Sequence, residues 1–185
     1  MLCGMRFTNL TRALEIGANS YLVEAGGRRL VLDAGLHPKR DGVEALPDFG
    51  VLGGEPVDAV VVTHAHQDHI GSLPVLRRLN PDASIFMSDP TRQLADAMLH
   101  NSVSVMKKLR VSTGNGDYPL FTHREVSETL RHSRSCPLRS RWSLDGERLA
   151  PGERGTPAFE LHHAGHILGS TGVLVEADGQ RLFNT

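Results

Sequence analysis

The chain has 185 residues, 39% of them hydrophobic, which is enough for one globular domain with a core and too few for two of ordinary size. Twenty Lys and Arg stand against 21 Asp and Glu, a formal net charge of -1, so no overall basic field announces a polyanionic partner. The start "MLCGMRFTNLTR" lacks a secretory pattern and nowhere do 18 apolar residues run together, so a soluble, cytoplasmic chain with no membrane partner is expected.

In chain order, "SYLVEA" (Ser20 to Ala25) and "RRLVLDAG" (Arg28 to Gly35) are strand-type runs separated by Gly26-Gly27, the pattern of a tight hairpin. Gly42 to Pro56 is rich in Gly and Pro and reads as loop. "VDAVVVTH" follows as a buried strand, because its apolar run is short, continuous and β-branched. Gly71 to Leu79 predicts a short helix, Ala83 to Ser88 a strand, and Thr91 to Arg110 a longer helix with capping chemistry at Asp89-Pro90. "THREVSETL" (Thr122 to Leu130) opens with Thr122 and has Glu125 three positions on, a capping box. From Ala158 the chain returns to strands, "AFELHHA", "TGVLVEA" and "QRLFN", the last two joined at Asp178-Gly179, another hairpin signal. Cys3 and Cys136 have no CxxC spacing and read as free thiols of a reducing compartment.

"VVTHAHQDHIG" places His64, His66, Asp68 and His69 at the end of the buried strand. Two residues apart on extended chain, His64 and His66 point to one face and can share a metal ion. Asp68 and His69 follow in the turn toward the next helix. Neutral imidazoles with a carboxylate suit zinc or a similar divalent ion, and the absence of nearby cysteine argues against a purely structural site. "HHAGHILGS" adds His166 on a Gly-flanked turn far along the chain, making three histidines and a carboxylate with positions left for water. His162 and His163 are adjacent and face opposite sides of their strand, so at most one reaches the site. His163 is the candidate supporting residue and His162 reads as packing or surface.

These motifs carry a resemblance. "THAHQDHIG" resembles the HxHxDH signature of the metallo-β-lactamase superfamily, "LVLDAGLHP" is similar to its preceding Asp motif, and "AGHILGS" to its later single-His motif. Within it, "LDAGLHP", "AGHILG" and "YPLFTHREVSETL" resemble the β-CASP branch of RNA-processing nucleases. The resemblance implies an α/β (α+β) fold, an αββα sandwich with a two-zinc site at one edge of its sheets. It assigns His64, His66 and His166 to one zinc and Asp68 and His69 to the other, with Asp68 counted as catalytic, and makes Asp33 a support for the site's loops. An Asx-turn at the end of a strand is the alternative for Asp33. His37 lies near the site or is simply a loop histidine before proline.

In relatives a Thr-Gly-Asp triplet follows, whose Asp bridges the metals, and "QRLFNT" reaches Thr185 where that triplet would begin. The expectation is therefore the N-terminal portion of a metallo-β-lactamase domain over residues 1–185. This partial sandwich lacks the bridging Asp, the β-CASP cap and the closing strands, and its exposed sheet edge is open to a partner or a second copy. One of the family's two zinc ions is expected to bind tightly. The parent activity implied is RNA phosphodiester cleavage by a zinc-activated hydroxide, weak or absent in this chain alone. A non-catalytic metal-binding or interaction module, and a thioester or lactone hydrolase of the same superfamily, are the alternatives. Arg131, Arg134, Arg139 and Arg141 offer a local basic stretch for phosphates or a solvated face. His100, His123 and His132 read as solvated or packing residues.

Overall fold

The computed structural model describes residues 4–12, 17–150, 152–153 and 157–185. Cys3 lies outside them.

One sheet has the order β1-β2-β3-β4-β5-β6, with β1 Arg6–Asn9, β2 Tyr21–Ala25, β3 Arg28–Leu32, β4 Ala59–Val61, β5 Ser84–Met87 and β6 Ser133–Ser135. Its first three strands pair antiparallel and β3 to β6 run parallel, so each parallel pair needs a crossover, which between β3 and β4 is the irregular segment 33–58 and elsewhere is supplied by the intervening α-helices. Those are α1 Gln67–Ile70, α2 Leu73–Leu79, α3 Asp89–Thr113 and α4 His123–Arg131. A second sheet, order β10-β9-β8-β7, is wholly antiparallel and contains β7 Arg141–Ser143, β8 Ala158–His163, β9 Thr171–Ala177 and β10 Gln180–Asn184.

Period-two alternation sorts the first sheet's residues into two cores. Leu22, Val31, Val60, Ile85 and Met87 face the helices, with Leu73, Leu76, Leu99, Val103 and Leu130 on the other side. Their neighbours Val23, Leu30, Leu32, Val61 and Phe86 face the second sheet and meet Phe159, Leu161, Val173 and Val175. Among the described residues, helices cover only the first sheet. The architecture is the mixed α/β sandwich expected, with β10 as an outer edge carrying an exposed Phe183.

Both predicted hairpins form through residues with positive φ, 56° and 73° at Gly26-Gly27 and 51° and 75° at Asp178-Gly179, which match the strands' twist. The capping box at Thr122 and Glu125 is complete. Three expectations need correction. The helix predicted from Gly71 to Leu79 starts at Leu73, with Ser72 as its cap and Pro74 in its first turn, and a further short helix, α1, precedes it at Gln67–Ile70. Helix α3 begins at Asp89 rather than Thr91, since Ser88 is the cap and Pro90 sits in the first turn, where proline's missing N–H costs nothing. The supposed loop from Gly42 to Pro56 contains two 3-10 turns, Gly42–Ala45 and Phe49–Leu52. No helix among the described residues is long and apolar enough to cross a membrane.

Candidate metal centre

The site lies beyond the C-terminal end of β4, where parallel strands of an open sheet leave a crevice between successive loops. Its foundation is Asp33, fully buried just after β3 with a left-handed backbone, φ 60°. One carboxylate oxygen accepts from the Thr63 amide at 2.7 Å, and the other accepts from the Thr63 hydroxyl and His69 Nδ1, each at 2.8 Å. Since the Thr63 hydroxyl has given its only proton to Asp33, its lone pair faces His64 Nδ1 at 3.0 Å as an acceptor. That bond puts the His64 proton on Nδ1 and the free lone pair on Nε2. Burial first, and then the charges that His69, His66 and His166 could carry, push the His64 pKa down to about 4 against the pull of Asp33. His64 is thus a neutral donor at physiological pH. In His69 burial lowers the pKa, but the hydrogen bond and charge of Asp33, with Asp68, leave it raised overall.

His66 caps the N-terminus of α1 in extended conformation. His166 sits on the turn after β8, and its Nε2 lies 3.2 Å from His66 Nδ1. Ser170 Oγ accepts from the amides of His166 and Ile167 at 3.0 and 3.1 Å, which closes that turn. The next residue back, Gly169, has φ 81°, and a Cβ there would lie 2.6 Å from the Thr91 amide nitrogen. Only glycine allows so close an approach. Its carbonyl accepts from Ser88 Oγ at 2.6 Å and Thr91 Oγ1 at 2.9 Å, fastening the His166 turn to the start of α3. The three histidines offer ligand atoms within 4.8 Å of one another, buried at His64 and exposed at His166. Three convergent nitrogen donors, one oriented by a hydrogen bond from behind, fit a divalent ion of the zinc type, and the metal's identity rests on donor chemistry alone.

Asp68 and His69 are on α1 beside this triad, but they are bonded to each other's surroundings. Asn19 Nδ2 is 3.1 Å from Asp68 Oδ2 and 3.1 Å from His69 Nε2. Asn19 was missed in the sequence, where a lone polar residue before "SYLVEA" gives no signal beyond a strand boundary. His163 ends β8 exposed, its ring beside Gly165. His162 pairs with Glu160 at 3.1 Å and meets Phe183 edge-on. His37 is buried, its Nδ1 accepts from the Lys39 amide, and its ring lies against Gly17. His100 and His123 hydrogen-bond through their Nδ1 atoms at 2.8 Å, joining α3 to α4.

The four arginines serve different ends. Arg134 donates to the Gly146 carbonyl and Arg141 to Glu153 and Glu176, while Arg131 and Arg139 are exposed.

The family pattern described as Metallo-beta-lactamase superfamily matches residues 14–176. The chain belongs to the metallo-β-lactamase superfamily. Solved structures of this superfamily share the fold. One from Sulfolobus tokodaii has a TM-score of 0.56 at 20% identity, covering 94% of this chain and 60% of that one. A Cronobacter sakazakii metallo-β-lactamase carrying a motif mutation gives 0.56 at 17%, covering 90% and 55%. Among curated proteins the chain is similar to endoribonuclease YSH1 of Eremothecium gossypii, 29% identical over 182 residues, and of Saccharomyces cerevisiae, 28% over 183. In each case 97% of this chain matches 22% of the relative, so the chain spans about a fifth of the length of the curated relatives it matches.

Proposed function

We propose that these residues form the metal-binding portion of a β-CASP-type ribonuclease, a hydrolase of RNA phosphodiesters. The observation that carries the reading is the convergence of His64, His66 and His166, with Asp33 and Thr63 fixing the His64 ring from behind. The likeness to proteins named endoribonucleases supports RNA over a small thioester or lactone, as do the β-CASP-like segments. A divalent ion held by the triad, zinc being the one its nitrogen donors suit, would polarise a phosphoryl oxygen and lower the pKa of water. The chain's own residues do the rest. Thr63 and Asp33 keep His64 in the tautomer that offers Nε2, the Ser170 turn brings His166 to His66, and the partly exposed Asp68 carboxylate is the group placed to orient water or take its proton once Asn19 releases it.

For these 185 residues alone the reading is one tightly held zinc and slow cleavage, because Asp68 and His69 are already engaged with Asn19. The test is elemental analysis of the purified chain together with an assay on labelled single-stranded RNA, DNA and a thioester, with added zinc or manganese. We expect about one zinc per chain, none in the His64→Ala, His66→Ala double variant, and slow RNA cleavage that His66→Ala abolishes. Undiminished metal in the double variant, or preference for the thioester, would overturn the proposal. One bound ion with no cleavage at all would leave a binding module instead.

A further inference from the structure

The Asp68 and His69 side of the site has an occupant of its own. Asn19 is held from three directions. Its amide N–H donates to the Asp68 carbonyl at 2.9 Å, its carbonyl accepts from the Gly35 amide at 2.9 Å, and Tyr21 donates its hydroxyl proton to Oδ1 at 3.2 Å. The three chain segments are pressed together there, since a Cβ at Gly35 would fall 1.8 Å from the Asp68 carbonyl oxygen and 2.7 Å from the Asn19 nitrogen. The orientation of the Asn19 amide is dictated by its neighbours. Asp68 Oδ2 is an acceptor, so the NH2 group must face it, and the second N–H of that group then points to His69 Nε2. His69 gives its Nδ1 proton to Asp33, so in the neutral ring Nε2 carries a single lone pair. That lone pair can accept a proton from Asn19 or bind a cation, and it cannot do both.

We propose that Asn19 is a placeholder for the second metal ion, its NH2 group bridging Asp68 and His69 until a cation displaces it. The inference rests on the reading of the triad as an ion site and adds to it a residue that sets the order of loading. The triad fills first because among the described residues the hydrogen bond between His166 Nε2 and His66 Nδ1 joins two of its own ligands and no outside group stands between them, and the Asp68 and His69 side fills only when Asn19 lets go. Asn19 is a competitor here rather than a support. His69 needs no help from it, being oriented by Asp33 through the other ring nitrogen, and Asp68 is positioned by its place on α1.

The two roles predict opposite signs. The whole chain at pH 8 would be titrated with cobalt(II) alone, read by calorimetry and by the visible spectrum, alongside Asn19→Ala and Asn19→Asp. We expect the first equivalent to bind all three within about threefold of one another. The second equivalent should bind Asn19→Ala about tenfold or more tightly than the unaltered chain, since a competing charge-assisted hydrogen bond is gone. Asn19→Asp should gain more, because a carboxylate in place of the NH2 group repels Asp68 until a cation lies between them. A second equivalent that weakens or stays the same in Asn19→Ala would make Asn19 a support for Asp68 and overturn the proposal. NMR on the unaltered chain gives an independent reading should a variant fail to fold. The Asn19 side-chain amide and His69 Nε2 signals should persist through the first equivalent and shift with the second, whereas retention of that hydrogen bond with two ions bound would sink the idea. If no cobalt binds the triad at all, the proposed function falls, and this inference with it.

Discussion

On the His64, His66 and His166 side of the site, Thr63 holds His64 by Nδ1, and the nitrogens that remain converge, His166 Nε2 and His66 Nδ1 lying 3.2 Å apart. On the other side both Asp33 oxygens, Asp68 Oδ2 and both His69 nitrogens are matched by hydrogen bonds. The loop and helix turn after β4 contribute to both, His64 and His66 to the first and Asp68 and His69 to the second. What differs is where the protons are. An exposed hydrogen bond between two imidazoles adds little to the fold and is readily exchanged for a cation, whereas a buried carboxylate with three protons aimed at it stabilises the fold whether or not an ion is present. Metal should therefore be felt on the first side and folding stability on the second.

The sharpest way to break that division is the His64→Ala, His66→Ala double variant. It should abolish zinc binding, a loss of at least about a hundredfold, while leaving the metal-free urea midpoint close to that of the unaltered chain. A large loss of stability without metal would show that the triad belongs to the structural side. Asp33→Asn makes the converse case. The amide cannot accept from all three donors, and its NH2 group would face the Thr63 or His69 proton in a fully buried place. Urea unfolding of the metal-free variant should report a loss of about 2–4 kcal/mol.

A subtler change sharpens the boundary between the two. Ser88→Ala with Thr91→Val removes both hydroxyls from the Gly169 carbonyl and loosens the turn that carries His166, so zinc affinity should fall about tenfold. His69 and Asp33 are untouched, and their NMR signals should not move.

The smallest effect is the control far from both sides. Burial alone would raise the Glu125 pKa, but hydrogen bonds from the Thr122 hydroxyl and amide and from Arg78 hold it below its ordinary 4.5. A carboxyl whose pKa is depressed on folding adds stability above its unfolded value and loses it as pH falls through the folded one. Glu125→Gln should therefore cost about 1 kcal/mol or less near pH 6 and converge with the unaltered chain as pH falls through the lowered Glu125 pKa. Thermal melts across that range check it, and zinc affinity should be unchanged.

The first side was legible in the sequence, and so were Asp33, Asp68 and His69 of the second, but Asn19 and Thr63, which tie those three together, were not, for a physical reason. His64, His66 and His166 are recognised by residue type and spacing, because metal chemistry admits few donors. Asn19 acts through two N–H bonds that many polar residues could make in other settings, so only its neighbours reveal it. The same contrast holds in the fold. Strands β2, β3, β4 and β5 announce themselves by alternating or continuous apolar runs and glycine turns. Strands β6 and β7, three residues each and rich in Ser and Arg, are strands because Met87 and Phe159 lie beside them to be paired with. Three residues carry no period.

Thr63 does one more thing. While its side chain serves Asp33 and His64, its backbone carbonyl accepts from both the amide and the hydroxyl of Thr171, at 2.9 and 3.0 Å, the first residue of β9. The two sheets are therefore riveted together at the point where the histidines meet. If the sandwich breathes, it opens like a book from the opposite edge, with its spine at Thr63, and the spacing between His64 and the His166 turn is the last dimension to change. The Thr171 amide, shut inside that spine, should be among the slowest in the chain to exchange its hydrogen.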